Sequence, residues 1–147
     1  AFGQLSRGAG CRLQIFSGPF LGAATFDRLQ SLVGEGGCVA RFSPDFLSHL
    51  AAADLSVSMA GYNTSMNILA TGVPALVWPF PQNREQGLRA ARLAERGALE
   101  VLTAADLQPD ALAERMRRRL KAGPAATGGI DLEGAAAAAA WLTSGAS

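Results

Sequence analysis

The sequence is short of the residues on which several functions depend. It holds one histidine and two cysteines in 147 residues. Cys11 and Cys38 are too few for a disulfide framework, and no His/Cys cluster has the spacing of metal ligands, so no metal site is expected. Each cysteine lies in an apolar stretch of β character and is expected to be a buried free thiol, which fits a reducing, cytoplasmic setting. His49 falls inside the helical pattern Phe46 to Leu50, where a lone histidine is usually a packing or surface residue, and no catalysis is assigned to it. Neither sign of charge is in excess. Thirteen basic residues face twelve acidic ones, a formal net charge of +1, which gives no reason to expect a nucleic-acid or membrane partner. There is no run of about 18 apolar residues, hence no spanning helix. Residues Ala1 to Arg7 lack the apolar stretch and cleavage site of a signal peptide. An initiator methionine is also missing, so the sequence reads as a fragment opening inside a larger protein, with Phe2 to Leu5 as the remnant of a helix begun upstream.

What is present is apolar enough for a core: 49% hydrophobic and 17% charged residues exclude the disordered class. Strand-like and helix-like segments alternate, punctuated by Gly and Pro. Leu13 to Phe16 is a strand ended by Gly18-Pro19. Phe26, Leu29, Leu32 and Val33 share a helical face, stopped by Gly34-Glu35-Gly36-Gly37. Cys38 to Phe42 is a second strand. Ser43 and Pro44 suit the cap and first position of a helix buried through Phe46, Leu47, Leu50 and Ala51. Leu55 to Met59 alternates as a strand, and a helix then runs from Gly61 to Ala70 and ends at Gly72-Val73-Pro74. Ala75 to Trp78 is a buried strand. Arg84 to Arg96 is helical and capped by Gly97. Leu99 to Leu102 is a last strand, and Pro109-Asp110 opens a helix with Leu112, Met116 and Leu120 four apart. The expected organisation is one domain over residues 1–122, a linker over 123–130, and an alanine-rich helix over 131–147, its Ala135 to Ala140 run favouring helix.

Strands alternating with helices across short loops imply an α/β fold, a Rossmann-like parallel sheet with helices on both faces. Ligands of such sheets sit beyond the carboxyl ends of the strands, which singles out the loops after Phe42, Met59 and Trp78. With no strand before Phe2, at least one central strand is expected upstream.

The loop after Met59 is the most informative. Gly61 permits close backbone approach, and Tyr62, Asn63, Thr64 and Ser65 open a helix. A helix N-terminus presents unpaired N–H groups and a partial positive charge, suited to phosphate. The competing reading is that Asn63 or Thr64 merely caps the helix. After Trp78, Pro79-Phe80-Pro81 makes a stiff loop and Glu85 and Gln86 begin a helix, placed to bond sugar hydroxyls. Alternatively, Glu85 only complements the helix dipole.

Gly18-Pro19-Phe20, Ala53 to Ser58, Gly61-Tyr62-Asn63-Thr64, Gly72-Val73-Pro74-Ala75, Arg84-Glu85-Gln86 and Arg89 to Ala94 occur in that order. From about Leu13 to Leu120 the chain thereby resembles a family of bacterial glycosyltransferases. That family is related to the N-acetylglucosaminyltransferase that completes lipid II (glycosyltransferase family 28, C-terminal domain). The resemblance implies the C-terminal half of a GT-B fold, which binds the nucleotide diphosphate sugar. The acceptor and any general base would come from an N-terminal domain of the same protein. On this basis Phe42 and Ser43 would face the base, and Gly61, Tyr62, Asn63 and Thr64 the diphosphate and start of the ribose. Glu85 and Gln86 would hold the transferred sugar. Asn67 stands where many relatives carry a glutamate on the ribose hydroxyls. An amide offers one acceptor and one donor in place of a charged double acceptor. That departure points to weaker ribose binding, a nucleotide other than UDP, or a decayed site. The family's glycine-rich loop near the first strand is missing, as if cut off upstream of Ala1. No catalytic residue and no cofactor are assigned.

Other features have structural explanations. Arg115, Arg117, Arg118, Arg119 and Lys121 form a basic run at a helix end, suiting the dipole and expected to point largely to solvent. Asp131 and Glu133 open the alanine helix, where capping accounts for them. Two other functions share the architecture. A sugar-nucleotide 2-epimerase would need acid/base carboxylates and histidines in the cleft. A non-catalytic nucleotide-binding or partner-binding module would need none.

Overall fold

In a computed structural model, residues 3, 10–34, 36–123, 130 and 132–144 are described. Most of the expected Phe2–Leu5 helix, Glu35, positions 124–129 of the linker and Asp131 lie outside the described residues. Five strands alternate with helices: β1 (Leu13–Phe16), α1 (Ala23–Val33), β2 (Gly37–Ala40), α2 (Phe46–Ala51), β3 (Ser56–Met59), α3 (Tyr62–Thr71), β4 (Ala75–Trp78), α4 (Arg84–Glu95) and β5 (Glu100–Val101). A 3-10 turn (Ala105–Leu107), α5 (Pro109–Lys121) and α6 (Gly134–Ser144) follow.

All strand pairs are parallel, in two ladders, β1-β2 and β3-β4-β5. Leu13 pairs with Gly37 and Phe16 with Ala40; Ser56 pairs with Ala75, Met59 with Trp78 and Leu76 with Glu100. Parallel strands need crossover connections, and α1 to α4 provide them in the short spaces that glycine closes. Gly34, Gly72 and Gly97 have φ of 66°, 67° and 72°, a region in which a Cβ meets the following carbonyl. Gly72 ends α3 in this way, its N–H donating to the Ile68 carbonyl. The expected α/β architecture, parallel strands with helices on both faces, is what the chain forms.

The core lies around β4, whose Ala75, Leu76 and Val77 are fully buried. Ile68 and Leu69 of α3, Ala90 and Leu93 of α4, and Leu50 of α2 close over it. The two ladders are joined through α2. Phe16 at the end of β1 packs edge-on against Phe46, ring centroids 5.2 Å apart, and lies 5.1 Å from the His49 ring. His49 is thus an exposed side chain resting on an aromatic one.

Several sequence expectations are corrected. Cys38 is exposed and Cys11 half-buried, because β2 carries its covered side chain at Val39 and alternation turns Cys38 outward. Leu32, Leu47 and Ala51 are exposed, since the short helices α1 and α2 are covered along a narrower stripe than their apolar content suggests. β2 ends at Ala40, leaving Phe42 in the loop, and α2 starts at Phe46. The Ser43 hydroxyl accepts from the Asp45 N–H at 3.1 Å, making a turn ahead of the helix instead of capping it. β5 is shorter than expected, and Leu120 is exposed.

The basic run of α5 does not simply face solvent. Arg119 is buried, and Glu100 lies 3.1 Å from Arg115, 3.9 Å from Arg118 and 3.7 Å from Arg119. These arginines sew α5 to β5. Asp106 joins them, and its carboxyl is held below the ordinary value by the Thr103 backbone N–H and hydroxyl, then by Arg115 and Arg118.

Candidate functional site

The loops singled out in the sequence all leave the carboxyl ends of parallel strands. β3 ends at Met59 and α3 begins at Tyr62, with Gly61 as N-cap residue in an extended conformation. No side chain caps this helix, and its first turn contains no acidic residue. The first intrahelical bond runs from Ser65 N–H to the Gly61 carbonyl at 2.9 Å. The N–H groups of Tyr62, Asn63 and Thr64 therefore precede the ladder, and no protein group caps them among the described residues.

Asn63 and Thr64 lie inside the helix, not at its cap position, so the capping alternative does not hold. Asn63 and Tyr62 are exposed, and Thr64 and Asn67 are half-buried. Asn67 is one i,i+4 step from Asn63, on the same face. Its backbone carbonyl accepts from the Thr71 hydroxyl at 2.8 Å, and its carboxamide makes no hydrogen bond among the described residues. Gly61 is not forced by its φ of −62°. A Cβ there would meet nothing nearer than the Thr64 hydroxyl at 3.9 Å. The glycine keeps the helix end open, and neither strain nor packing requires it.

The loop after β4 is braced from within. Asn83 caps α4, its Oδ1 accepting from the Gln86 N–H at 3.0 Å. The Gln86 Oε1 in turn accepts from the Phe80 N–H, also at 3.0 Å, which closes the Pro79–Pro81 loop onto the helix start. The Gln86 N–H₂ group stays uncommitted among the described residues. Glu85 points elsewhere. It is exposed and lines a groove of about 570 Å³ along α4 together with Arg89 and Arg92.

Because β3 and β4 are neighbours, their loops are neighbours too, and one side chain links them. Arg89 of α4 donates from Nη1 to the Ala60 carbonyl at 3.2 Å, and its guanidinium carbon lies 5.3 Å from the Tyr62 ring centroid. Arg89 opens the Arg89–Ala94 segment that carries the family resemblance, and the resemblance implies no role for it. Its helical spacing of three from Gln86 was the available signal.

Phe42, 72% exposed, and Ser43 leave the other ladder. No hydrogen bond or ring contact among the described residues ties them to the α3 start. Arg41 beside them stacks over Phe26 at 4.3 Å and donates to the Leu21 carbonyl, fixing this loop to the one after β1. Among the described residues no cluster of His, Cys, Asp or Glu could hold a metal ion, and no helix is long and apolar enough to cross a membrane.

Residues 21–128 match the family model described as the glycosyltransferase family 28 C-terminal domain. Among curated proteins, the chain is 35% identical over 101 residues to a UDP-N-acetylglucosamine--N-acetylmuramyl-(pentapeptide) pyrophosphoryl-undecaprenol N-acetylglucosamine transferase of Paraburkholderia phymatum, covering 67% of this chain and 27% of that protein. To the transferase of the same name from Brucella canis it is 37% identical over 87 residues, 58% of this chain and 23% of that protein. The chain thus spans about a quarter of the length of these relatives. Among solved structures, Acinetobacter baumannii MurG superposes with a TM-score of 0.59 at 24% identity, over 73% of this chain and 32% of its own. The glycosyltransferase VinC in complex with DTDP gives a TM-score of 0.57 at 24% identity, over 80% of this chain and 35% of its own. These likenesses extend to the fold.

Proposed function

The chain belongs to the glycosyltransferase family 28 C-terminal domain family, and from that premise we propose that it is the part of a hexosyltransferase that holds a nucleotide diphosphate sugar. The observation that carries the reading is the uncapped start of α3, kept clear by a glycine that neither backbone nor packing demands. Free N–H groups and the helix dipole favour an anion there. In transfer, an acceptor oxygen forms a bond to the anomeric carbon as the bond to the nucleotide diphosphate breaks. Charge grows on the departing diphosphate, and fixed N–H donors favour that state over the ground state.

Within this reading Tyr62, Asn63 and Thr64 meet the diphosphate, Asn67 the ribose, Phe42 and Ser43 the base, and Glu85 and Gln86 the sugar. The donor is a UDP-sugar, as the names of the two relatives specify for them, and the enzyme works in a bacterial cytoplasm. The remainder of the protein supplies the acceptor domain and any general base. It also supplies the strand between β1 and β3: among the described residues β1 pairs with β2 alone and β3 with β4 alone, and their free edges flank the position of the first strand in the doubly wound order. The domain ends near residue 122, followed by a linker and the α6 helix.

Calorimetric titration of the chain with UDP, dTDP and UDP-N-acetylglucosamine tests the proposal. Weak binding of a nucleoside diphosphate, with no sugar transfer by the chain alone, is the expected result. Failure to bind any of them, or turnover by this chain by itself, would overturn it.

A further inference from the structure

The α3 start carries a full positive charge where the helix end already supplies a partial one. Arg89 reaches from α4 to the Ala60 carbonyl at 3.2 Å and lies over the Tyr62 ring at 5.3 Å, beside the first helical residue of α3. A cation is unfavourable at the positive end of a helix. The first turn of α3 holds no acidic residue to neutralise it, and only the Tyr62 ring faces it there. No ion pair forms between Arg89 and a carboxylate among the described residues, although Glu85 is one helical turn away. The arginines of α5 behave differently: Arg115, Arg117, Arg118 and Arg119 each lie within 4 Å of Glu100, Asp106 or Glu114. Arg89 is also the only side chain that, by a hydrogen bond among the described residues, ties the helix carrying Glu85 and Gln86 to the β3–α3 turn.

We propose that Arg89 is the cation of the diphosphate site. One N–H holds the Ala60 carbonyl and fixes the turn, the Tyr62 ring orients the guanidinium plane, and the remaining N–H groups face the anion bound at the α3 start. This rests on the reading of the chain as a nucleotide-diphosphate binder. It adds a charge-bearing residue that comes from the sugar-side helix. A guanidinium suits the task because it can keep one donor on a backbone carbonyl while presenting others in the same plane to phosphate oxygens.

The experiment compares wild type, Arg89→Gln and Arg89→Lys, titrated with UDP and with uridine at low and high ionic strength. Arg89→Gln is expected to weaken UDP binding roughly tenfold at low salt, the scale of one charged hydrogen bond. The loss should shrink as salt screens the charge, and uridine binding should hardly change. Arg89→Lys should recover part of the UDP affinity, together with its salt dependence. A purely structural role predicts equal losses for UDP and uridine and no change in salt dependence, and either result would overturn the proposal. So would UDP binding to Arg89→Gln at wild-type strength, which leaves the nucleotide-binding reading intact. If wild type itself binds no nucleotide, that underlying reading fails, and this one with it. A second measurement needs no glutamine variant. The Arg89 Nε–H resonance, assigned by its disappearance in Arg89→Lys, should shift on adding UDP and stay in place on adding uridine.

Discussion

Gln86 has two ends with different duties, and replacing it by glutamate separates them. Its Oε1 accepts from the Phe80 N–H at 3.0 Å, and its own N–H is taken by Asn83. Gln86→Glu keeps the acceptor, and a carboxylate takes the Phe80 bond at least as well as an amide. What disappears is the N–H₂ group proposed to meet the sugar. The quantity to follow is the ratio of the UDP to the UDP-N-acetylglucosamine dissociation constants. The new negative charge repels both ligands and largely cancels in that ratio. One net hydrogen bond is worth about 0.5–1.5 kcal/mol, so the sugar's share of the affinity should fall by roughly two- to twelvefold. Gln86→Ala also frees the Phe80 N–H and loosens the loop, and should cost at least as much. Calorimetry on the three proteins decides. A ratio unchanged in Gln86→Glu but lowered in Gln86→Ala would mean that Gln86 only braces the loop, and the direct contact would be refuted.

Gly61→Ala should leave the thermal unfolding of the chain within about 1 kcal/mol of wild type, the scale of a cap substitution. UDP binding should be clearly weaker, because the added methyl stands over the open helix end; unchanged UDP affinity would show that no ligand comes close there. Asn67→Glu should strengthen ribonucleotide binding by roughly 0.5–1.5 kcal/mol and leave the form lacking the contacted hydroxyl nearly unchanged. Paired titrations of the ribo- and deoxyribonucleoside diphosphates read this, and equal changes would remove Asn67 from the ribose. Asp106 has its folded pKa lowered from the ordinary 3.8, so its charged form stabilises the fold above that pH, and the contribution is lost as pH falls through the lowered value. Asp106→Asn should therefore melt below wild type at neutral pH, with the gap closing in acid; a gap independent of pH would assign the loss to packing alone.

Much of the fold was legible because glycine and apolar runs mark its boundaries. β1 and β4 occupy the expected residues, and Gly34, Gly72 and Gly97 all take a positive φ at helix ends. Which face of an element is covered was harder to read. β3 alternates Ser56 and Ser58 with Val57 and Met59, yet Ser56 is 9% exposed while Val57 and Met59 are 44% and 48% exposed. Alternation defines two faces but does not say which one meets a neighbour. Here the covered side of β3 is the serine side, with Ser56 at 9% and Ser65 of the following helix wholly buried, and the apolar face of β3 is left half exposed. The arginines of α5 misled for a related reason. A charge count at a helix end cannot foresee that Glu100, on a strand across the turn, faces three of them.

In the site, spacing could propose contacts but could not choose between a ligand and a cap, and the deciding quantity is a single helical position. A capping side chain must precede the first helical residue, because only there can its oxygen turn back onto the free N–H groups. With Gly61 at that position, Asn63 and Thr64 sit two and three residues too late to cap, and the donors beneath them stay open. The same reasoning separates Glu85 from Gln86. Adjacent residues on a helix diverge by about 100°, so two side chains that read as a pair in the sequence are directed apart, one to the loop and one to the groove. Arg89, at three and four residues from them, was the position from which the helix could reach back to the β3–α3 turn. Helical spacing shows that such a reach exists, but only the parallel register of β3 beside β4 shows that Ala60 lies at the end of it.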